Sequence, residues 1–212
     1  MKRYDHRRTK EIKSQLFKRE RWNADTIMNL LHLLVEKEPS LDKTVVEVVD
    51  SGFLCRVIDS EQVTDHSLDV MRNYLRDSKL LLLPIFASEH WSLLAYLGEE
   101  KTWYHCDSMG EMHSERVNFI LARLHLLGIF NGLDEEQKRV SFHTLLKNQE
   151  GRDECGTYLV MYAMAFIYNI RSFSSKEKFQ SSLEGELSKI GEDKRHEFLQ
   201  RLEVELSLIG HK

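Results

Sequence analysis

Two prolines and three cysteines are all that 212 residues contain, and no apolar run approaches the length of a membrane-spanning helix. The cysteines, at 55, 106 and 155, are odd in number, widely spaced and without a CxxC pair. That pattern argues against a disulfide framework and against a structural zinc cage, and it fits a reducing compartment, cytoplasm or nucleus. An excess of positive charge is also lacking, since the formal net charge is −4. A chain with no overall positive field is not expected to bind nucleic acid along its surface. The start, "MKRYDHRRTKEIKSQLFKRE", is basic but has no continuous apolar core, so it does not read as a secretory signal. No membrane partner is expected.

What is present is the material of a folded domain, 42% hydrophobic and 30% charged. Residues 1–20 carry eight Lys or Arg against three acids and read as a basic, solvated or partly helical arm. Residues 21–212 show no repeat, low-complexity tract or linker and read as one domain, expected to be a monomer. From Trp22 to Lys37 the apolar residues Ile27, Leu30, Leu31, Leu34 and Val35 keep helical intervals, with Asp25 near the start where an acid suits the dipole. "TVVEVV" at 44–49 reads as a strand and residues 65–77 as a helix. Three strands then follow closely, 79–86 and 91–98 apolar on both faces and 101–108 alternating, with a hairpin loop at 98–101. Pro84 is expected at a sheet edge, a bulge or a strand end. Helix at 112–128, strand at 139–146, an apolar helix at 155–169 and two charged amphipathic helices complete an α+β pattern, a small central mixed sheet flanked by helices.

Chemistry concentrates around one hairpin. Pairing through a loop at 98–101 brings His90 and Asp107 within about two residues of cross-strand register, so an imidazole and a carboxylate share one end of the sheet. The carboxylate can fix the ring tautomer and leave the other nitrogen to deprotonate a nucleophile. In "QEGRDECGTY", Cys155 sits where the apolar helix should begin, and helix N-terminal amides and a nearby imidazolium both favour a thiolate, the attacking species. Gly156 leaves room for a substrate backbone, and Gln149 offers an amide to a developing oxyanion. Cysteine, histidine, aspartate and an amide donor are a complete set for acyl transfer.

Other readings of these residues compete. A lone cysteine before an apolar helix is commonly a core residue, as Cys55 and Cys106 are read to be. "HCDSMGEMH" could suggest a metal through His105, Cys106, Asp107 and His113, but strand alternation turns Cys106 away from His105 and Asp107, and no metal is expected. His105 shares Asp107's face and competes with His90 as its partner.

The order His90-Trp91, Asp107 seventeen residues on, Gln149, then Cys155-Gly156 six residues after the glutamine resembles the ubiquitin-like-protein-specific cysteine proteases. This is the sentrin/SUMO-protease and deneddylase family related to adenoviral protease. "WNADTIMNLL" is similar to that family's Trp-Leu-Asn-Asp-x-x-Ile signature at Trp22 and Asp25, so the resemblance covers about residues 20–170. It departs at Glu154, where the family usually has Asp, and at Asn23-Ala24 in place of Leu-Asn. The resemblance implies the family's fold and a peptidase that needs no cofactor. His90, Asp107, Gln149 and Cys155 would be catalytic, with Trp22, Asp25, Trp91 and Gly156 on the substrate side. Trp22 and Trp91 would form a tunnel over a Gly-Gly tail, because flat aromatic walls admit two glycines and exclude side chains. The implied partner is a ubiquitin-like modifier (the neddylation modifier, SUMO or ubiquitin) and its conjugates, and the compact length is most like the deneddylase branch. A clan-related acyltransferase and an inactive modifier-binding relative are the alternatives.

Overall fold

The computed structural model describes residues 12–15, 21–37, 46–129, 139–141, 149, 151, 153–171 and 176–209. Within them a five-stranded mixed sheet runs in chain order: β1 (Val46–Val48), β2 (Leu80–Ala87), β3 (His90–Leu97), β4 (Thr102–Cys106) and β5 (Arg139–Ser141). β2, β3 and β4 pair antiparallel, and β1 and β5 flank them in parallel. Helix α1 (Ala24–Glu36) precedes the sheet, α2 (Ser51–Asp59) and α3 (Asp65–Asp77) follow β1, and α4 (Ser114–Leu126) follows β4. The chain closes with α5 (Cys155–Arg171), α6 (Lys176–Leu187) and α7 (Glu192–Ile209). Of the strand expected at 139–146, residues 142–146 lie outside the described residues. None of the described helices is long and apolar enough to cross a membrane.

Period-2 alternation divides the core. Leu80 and Leu82 of β2, with Trp91, Leu93, Ala95 and Leu97 of β3, face α1, α5, α6 and α7. Leu81, Leu83 and Ile85, with Leu94 and Tyr96, face the other way against α2, α3 and α4. A sheet covered on both faces explains why β2 and β3 are apolar throughout, each buried leucine contributing about 1.5–3 kcal/mol. β4 follows the same rule: although its sequence alternates, all five of its residues are buried.

Three features of the fold add to what the sequence pattern shows. Helix α2 has too short an apolar pattern to stand out, yet Asp50 caps it by accepting from Phe53 N at 2.8 Å. Pro84 lies inside β2, opposite Leu93, not at that strand's end. Its missing N–H is tolerated because β1 pairs only as far as Leu82 in the strand ladder, so β2 is locally an edge there. Residues 12–15 are helical and Ile12 is 1% exposed, so this part of the basic segment joins the core. Gln15 Oε1 accepts from Thr26 Oγ1 at 2.6 Å, tying that segment to α1.

Both hairpins are held by their turns. Ser88 and Glu89 have φ of 47° and 58°, the left-handed pair of a two-residue turn whose twist matches its strands, and the next residue is His90. Gly98 begins the second turn, and a Cβ on it would lie 2.5 Å from the Ser78 carbonyl oxygen. Because that neighbour is backbone, Gly98→Ala is expected to cost about 1–3 kcal/mol, seen as a lower urea midpoint.

Candidate active site

The β3–β4 register, Leu93 opposite Cys106 and Leu97 opposite Thr102, places Asp107 one residue past β4 and His90 at the adjacent end of β3. Their side chains meet, His90 Nε2 to Asp107 Oδ1 at 2.6 Å, with the residues 2% and 1% exposed. A carboxylate this dry needs several donors. Besides the ring, Asp107 Oδ1 accepts from Met109 N at 2.9 Å and Oδ2 accepts from His113 N at 3.0 Å. The turn following β4 therefore supplies the remaining donors.

Cys155 is the first residue of α5 and is fully buried. It lies close enough to the His90 ring to act on the protonation of that ring. With Nε2 held by Asp107, Nδ1 is the ring nitrogen left for the sulfur. Burial by itself would lower the His90 pKa, but the hydrogen bonds to Asp107 and Cys155 outweigh it and raise the value to about 9. For Asp107, burial works upward, and the His90 and backbone hydrogen bonds overcome it and hold the carboxyl below its usual range.

Gln149 is fixed from two sides. Ser108, the residue after Asp107, donates through Oγ to Gln149 Oε1 at 2.6 Å and accepts from Gln149 N at 3.0 Å. With its oxygen occupied, the carboxamide presents Nε2 as a donor, and one Nε2 hydrogen goes to Gly151 O at 2.8 Å. The second amide hydrogen is the one an oxyanion would take.

The two tryptophans pack beside the reacting groups. Trp91 follows His90 and donates through Nε1 to Trp22 O at 2.9 Å, and both residues are buried. Exposed Phe86 stacks on Trp91 with centroids 4.7 Å apart. A Cβ on Gly156 would lie 2.9 Å from Ile27 Cδ1 and 3.0 Å from Trp22 Cβ. Glycine at this position therefore also lets α1 and the Trp22 segment before it approach α5 closely. Asp25 is exposed in the first turn of α1, beyond the Asn23 cap, where it favours the helix dipole. Arg21 reaches Glu89 at 3.3 Å and Asp153 at 3.4 Å, linking the turn before His90 to the segment before Cys155.

Sequence reasoning missed the layer behind the pair. His113 donates through Nε2 to Ala87 O at 2.9 Å and accepts at Nδ1 from Ser92 Oγ at 2.8 Å. Ser92 in turn accepts from His105 Nε2 at 3.3 Å. His105 therefore turns to Ser92, and His90 is the histidine on Asp107. His90, Asp107 and His113 offer ligand atoms within 4.8 Å of one another, but the bonds just described occupy both His113 nitrogens and His90 Nε2. This group is read as a hydrogen-bonded assembly and not as a metal centre. The signal was in "HCDSMGEMH", where His113 is a partner of Asp107 through its backbone. All three cysteines are free, and burial raises the Cys106 thiol pKa well above its ordinary value.

A sulfur at a helix N-terminus, an imidazole and a carboxylate on the far ring nitrogen make up the arrangement of a thiol hydrolase. The chain belongs to the Ulp1 protease family, whose C-terminal catalytic domain matches residues 21–189, and it is a cysteine peptidase domain. No curated protein sequence matches it. Among solved structures, a de-sumoylating protease superposes with a TM-score of 0.70 at 17% identity, covering 94% of this chain and 85% of the other. The Chaetomium thermophilum Ulp1-like SUMO protease catalytic domain gives 0.54 at 18% identity, covering 82% and 76%. The Xanthomonas campestris effector XopD, bound to ubiquitin, gives 0.55 at 15% identity, covering 77% and 90%. At such identities the likeness is one of fold.

The raised His90 value has a consequence for stability. Because it lies above the unfolded value of about 6.5, the stabilisation is complete below that pH and is lost as pH rises through about 9. The Asp107 share is present above the ordinary carboxylate range and disappears as pH falls through the lowered value. A histidine-labelled NMR titration is expected to place His90 near 9. In Asp107→Asn the midpoint should drop by more than about one unit, and the decline in urea midpoint from pH 6.5 to 9 should flatten.

Proposed function

We propose that this peptidase domain cleaves after the C-terminal Gly-Gly of a ubiquitin-like modifier, releasing it from a lysine side chain or trimming its precursor. The observation that carries the reading is the buried Cys155–His90–Asp107 group, with Trp22 and Trp91 in the same apolar cluster as Cys155. Cys155 attacks as its thiolate, forming a bond from Sγ to the terminal glycine carbonyl carbon, and the carbonyl electrons move to oxygen. Gln149 Nε2 and the Cys155 amide stabilise that oxyanion. His90, protonated at neutral pH at a value near 9, gives its proton to the leaving amine as the C–N bond breaks. Water, deprotonated by the now neutral ring, attacks the thioester, the carboxylate is released and the sulfur leaves as thiolate. Asp107 keeps the ring oriented throughout and stabilises its charged form.

The selectivity is assigned to the two indoles, since a passage between flat aromatic rings would accept glycine and reject a side chain. Asp25, exposed near the start of α1, is assigned to the substrate-facing surface with Trp22. The modifier's globular body docks beside the tunnel over a contact of ordinary interface size. SUMO is the first modifier to test, because the superposing structures include SUMO proteases; ubiquitin follows from the XopD complex, and the neddylation modifier completes the panel. Residues 21–212 form the catalytic domain in this reading, which acts as a monomer in a reducing compartment.

Modifiers bearing a C-terminal fluorogenic amide test the reaction. Wild type should release fluorophore, Cys155→Ala should lose turnover by at least about a thousandfold while still binding the modifier, and Gln149→Ala should lose about ten- to a hundredfold in kcat. Modifier probes ending in an electrophile after Gly-Gly identify the preference by which one labels Cys155. An acyltransferase would release no fluorophore, and unchanged processing by Cys155→Ala would overturn the assignment.

A further inference from the structure

The residue before the nucleophile does more than lead into the helix. Glu154 carries the first carbonyl of α5, which accepts from Tyr158 N at 3.2 Å, while its side chain folds back over the preceding loop. There Glu154 Oε2 accepts from Gly151 N at 3.1 Å. The fold-back is tight enough that a Cβ on Gly151 would lie 2.9 Å from the Glu154 carboxyl carbon, so a larger residue there would push the carboxylate out of this pose. The other carboxylate oxygen, Oε1, forms an ion pair with Arg195 Nη2 at 2.9 Å. Arg195 belongs to α7, and its side chain is 10% exposed.

Arg195 is itself held. Its Nε and Nη2 both donate to the Glu192 carboxylate, and its backbone N donates to Gly191 O at 2.9 Å. A guanidinium gripped in this way is a fixed post, and its orientation is set before it meets Glu154. From that post the chain of contacts is continuous. Arg195 holds the Glu154 carboxylate, Glu154 holds the Gly151 amide, and the same Gly151 peptide segment accepts Gln149 Nε2 at 2.8 Å through its carbonyl. Ser108 secures the oxygen end of that carboxamide from the sheet side.

We propose that Arg195 and Glu154 are positioning residues for the oxyanion side of the site: an ion pair from the last helix fixes the Gly151 loop that aims Gln149. The inference rests on the cysteine-peptidase reading above and adds to it a role for α7, an element that supplies no reacting atom. It also gives Glu154, which stands where the family usually has Asp, a function of its own. A misaimed donor affects the transition state, where the oxyanion exists, and leaves ground-state binding alone, so the signature is a loss in kcat at constant KM.

Five variants decide it: the single variants Arg195→Met, Arg195→Lys, Glu154→Gln and Gln149→Ala, and the double variant Arg195→Met/Gln149→Ala. Each is assayed with the modifier whose C-terminal fluorogenic Gly-Gly amide wild type cleaves fastest and, separately, for alkylation of Cys155 by iodoacetamide, a reaction that forms no oxyanion. Arg195→Met and Glu154→Gln are expected to lower kcat roughly tenfold with KM within about twofold and the alkylation rate unchanged. Arg195→Lys should restore most of the loss, and on the Gln149→Ala background Arg195→Met should lower kcat no further. Glu154→Gln keeps an acceptor for Gly151 N and so reads out the charge even if Arg195→Met does not fold. The proposal is overturned if kcat stays at the wild-type level, if the Arg195 and Gln149 losses multiply, or if alkylation slows in step with kcat. A wild-type chain that cleaves no Gly-Gly amide overturns the peptidase reading and this inference together, whereas multiplying losses in an active enzyme overturn this inference alone.

Discussion

The bond between His90 and Asp107 is the constraint around which the site is arranged. Two ionisable groups almost without solvent are costly unless each is matched to a partner and the leftover lone pairs are filled. At 2.6 Å the pair satisfies the first condition, and the amides of Met109 and His113 satisfy the second. The turn after β4 is therefore shaped by the carboxylate it must solvate. The two-residue turn before β3 sets the other half, because it delivers His90 to the sheet end already in register. His113 joins the two turns, its backbone on Asp107 and its ring on Ala87 O, so movement of one is felt by the other.

The sulfur comes from a different layer. Cys155 begins α5, which packs on one sheet face with α1, and the apolar cluster spanning Ile27, Trp22, Leu93 and Leu159 decides where the sulfur sits relative to the ring. Gly156 sets how closely α1 and α5 approach. Polar contacts refine a placement that apolar burial has largely determined, as expected where packing is dense and hydrogen bonds are individually modest.

Local and near-local features were legible in the sequence. The hairpin placing His90 near Asp107 follows from loop position and period-2 pairing, and the order of the four reacting positions carried the family resemblance. Helix α2 was not legible, because a nine-residue segment offers little more than two turns of pattern and Asp50 is a weak signal by itself. Pro84 was expected at a sheet edge, a bulge or a strand end, and that the edge is the answer depends on where β1 stops, a fact of sheet assembly and not of β2. The contact between Arg195 and Glu154 joins segments forty-one positions apart across a loop and two helices, and no periodicity encodes it. His113 was noticed for the wrong chemistry: its proximity to Asp107 was visible in "HCDSMGEMH", but the decisive donor is its backbone N–H, which every residue but proline has.

Dryness has a cost in access that the proposed reaction must meet. Cys155 is fully buried, and Trp22 and Trp91 are 4% and 2% exposed, joined by a hydrogen bond from one indole to the other residue's carbonyl. A Gly-Gly tail can reach the sulfur only if these rings part. The opening sacrifices buried aromatic area and disturbs the stack with Phe86, and energy for it must come from contacts made elsewhere on the substrate. A free diglycine peptide lacks those contacts, whereas a folded modifier has a surface large enough to provide them. On the proposed reading, the same closure that keeps water from weakening the His90–Asp107 pair would make turnover depend on recognition of the whole modifier, so that selectivity and protection of the thiol would arise from one packing arrangement.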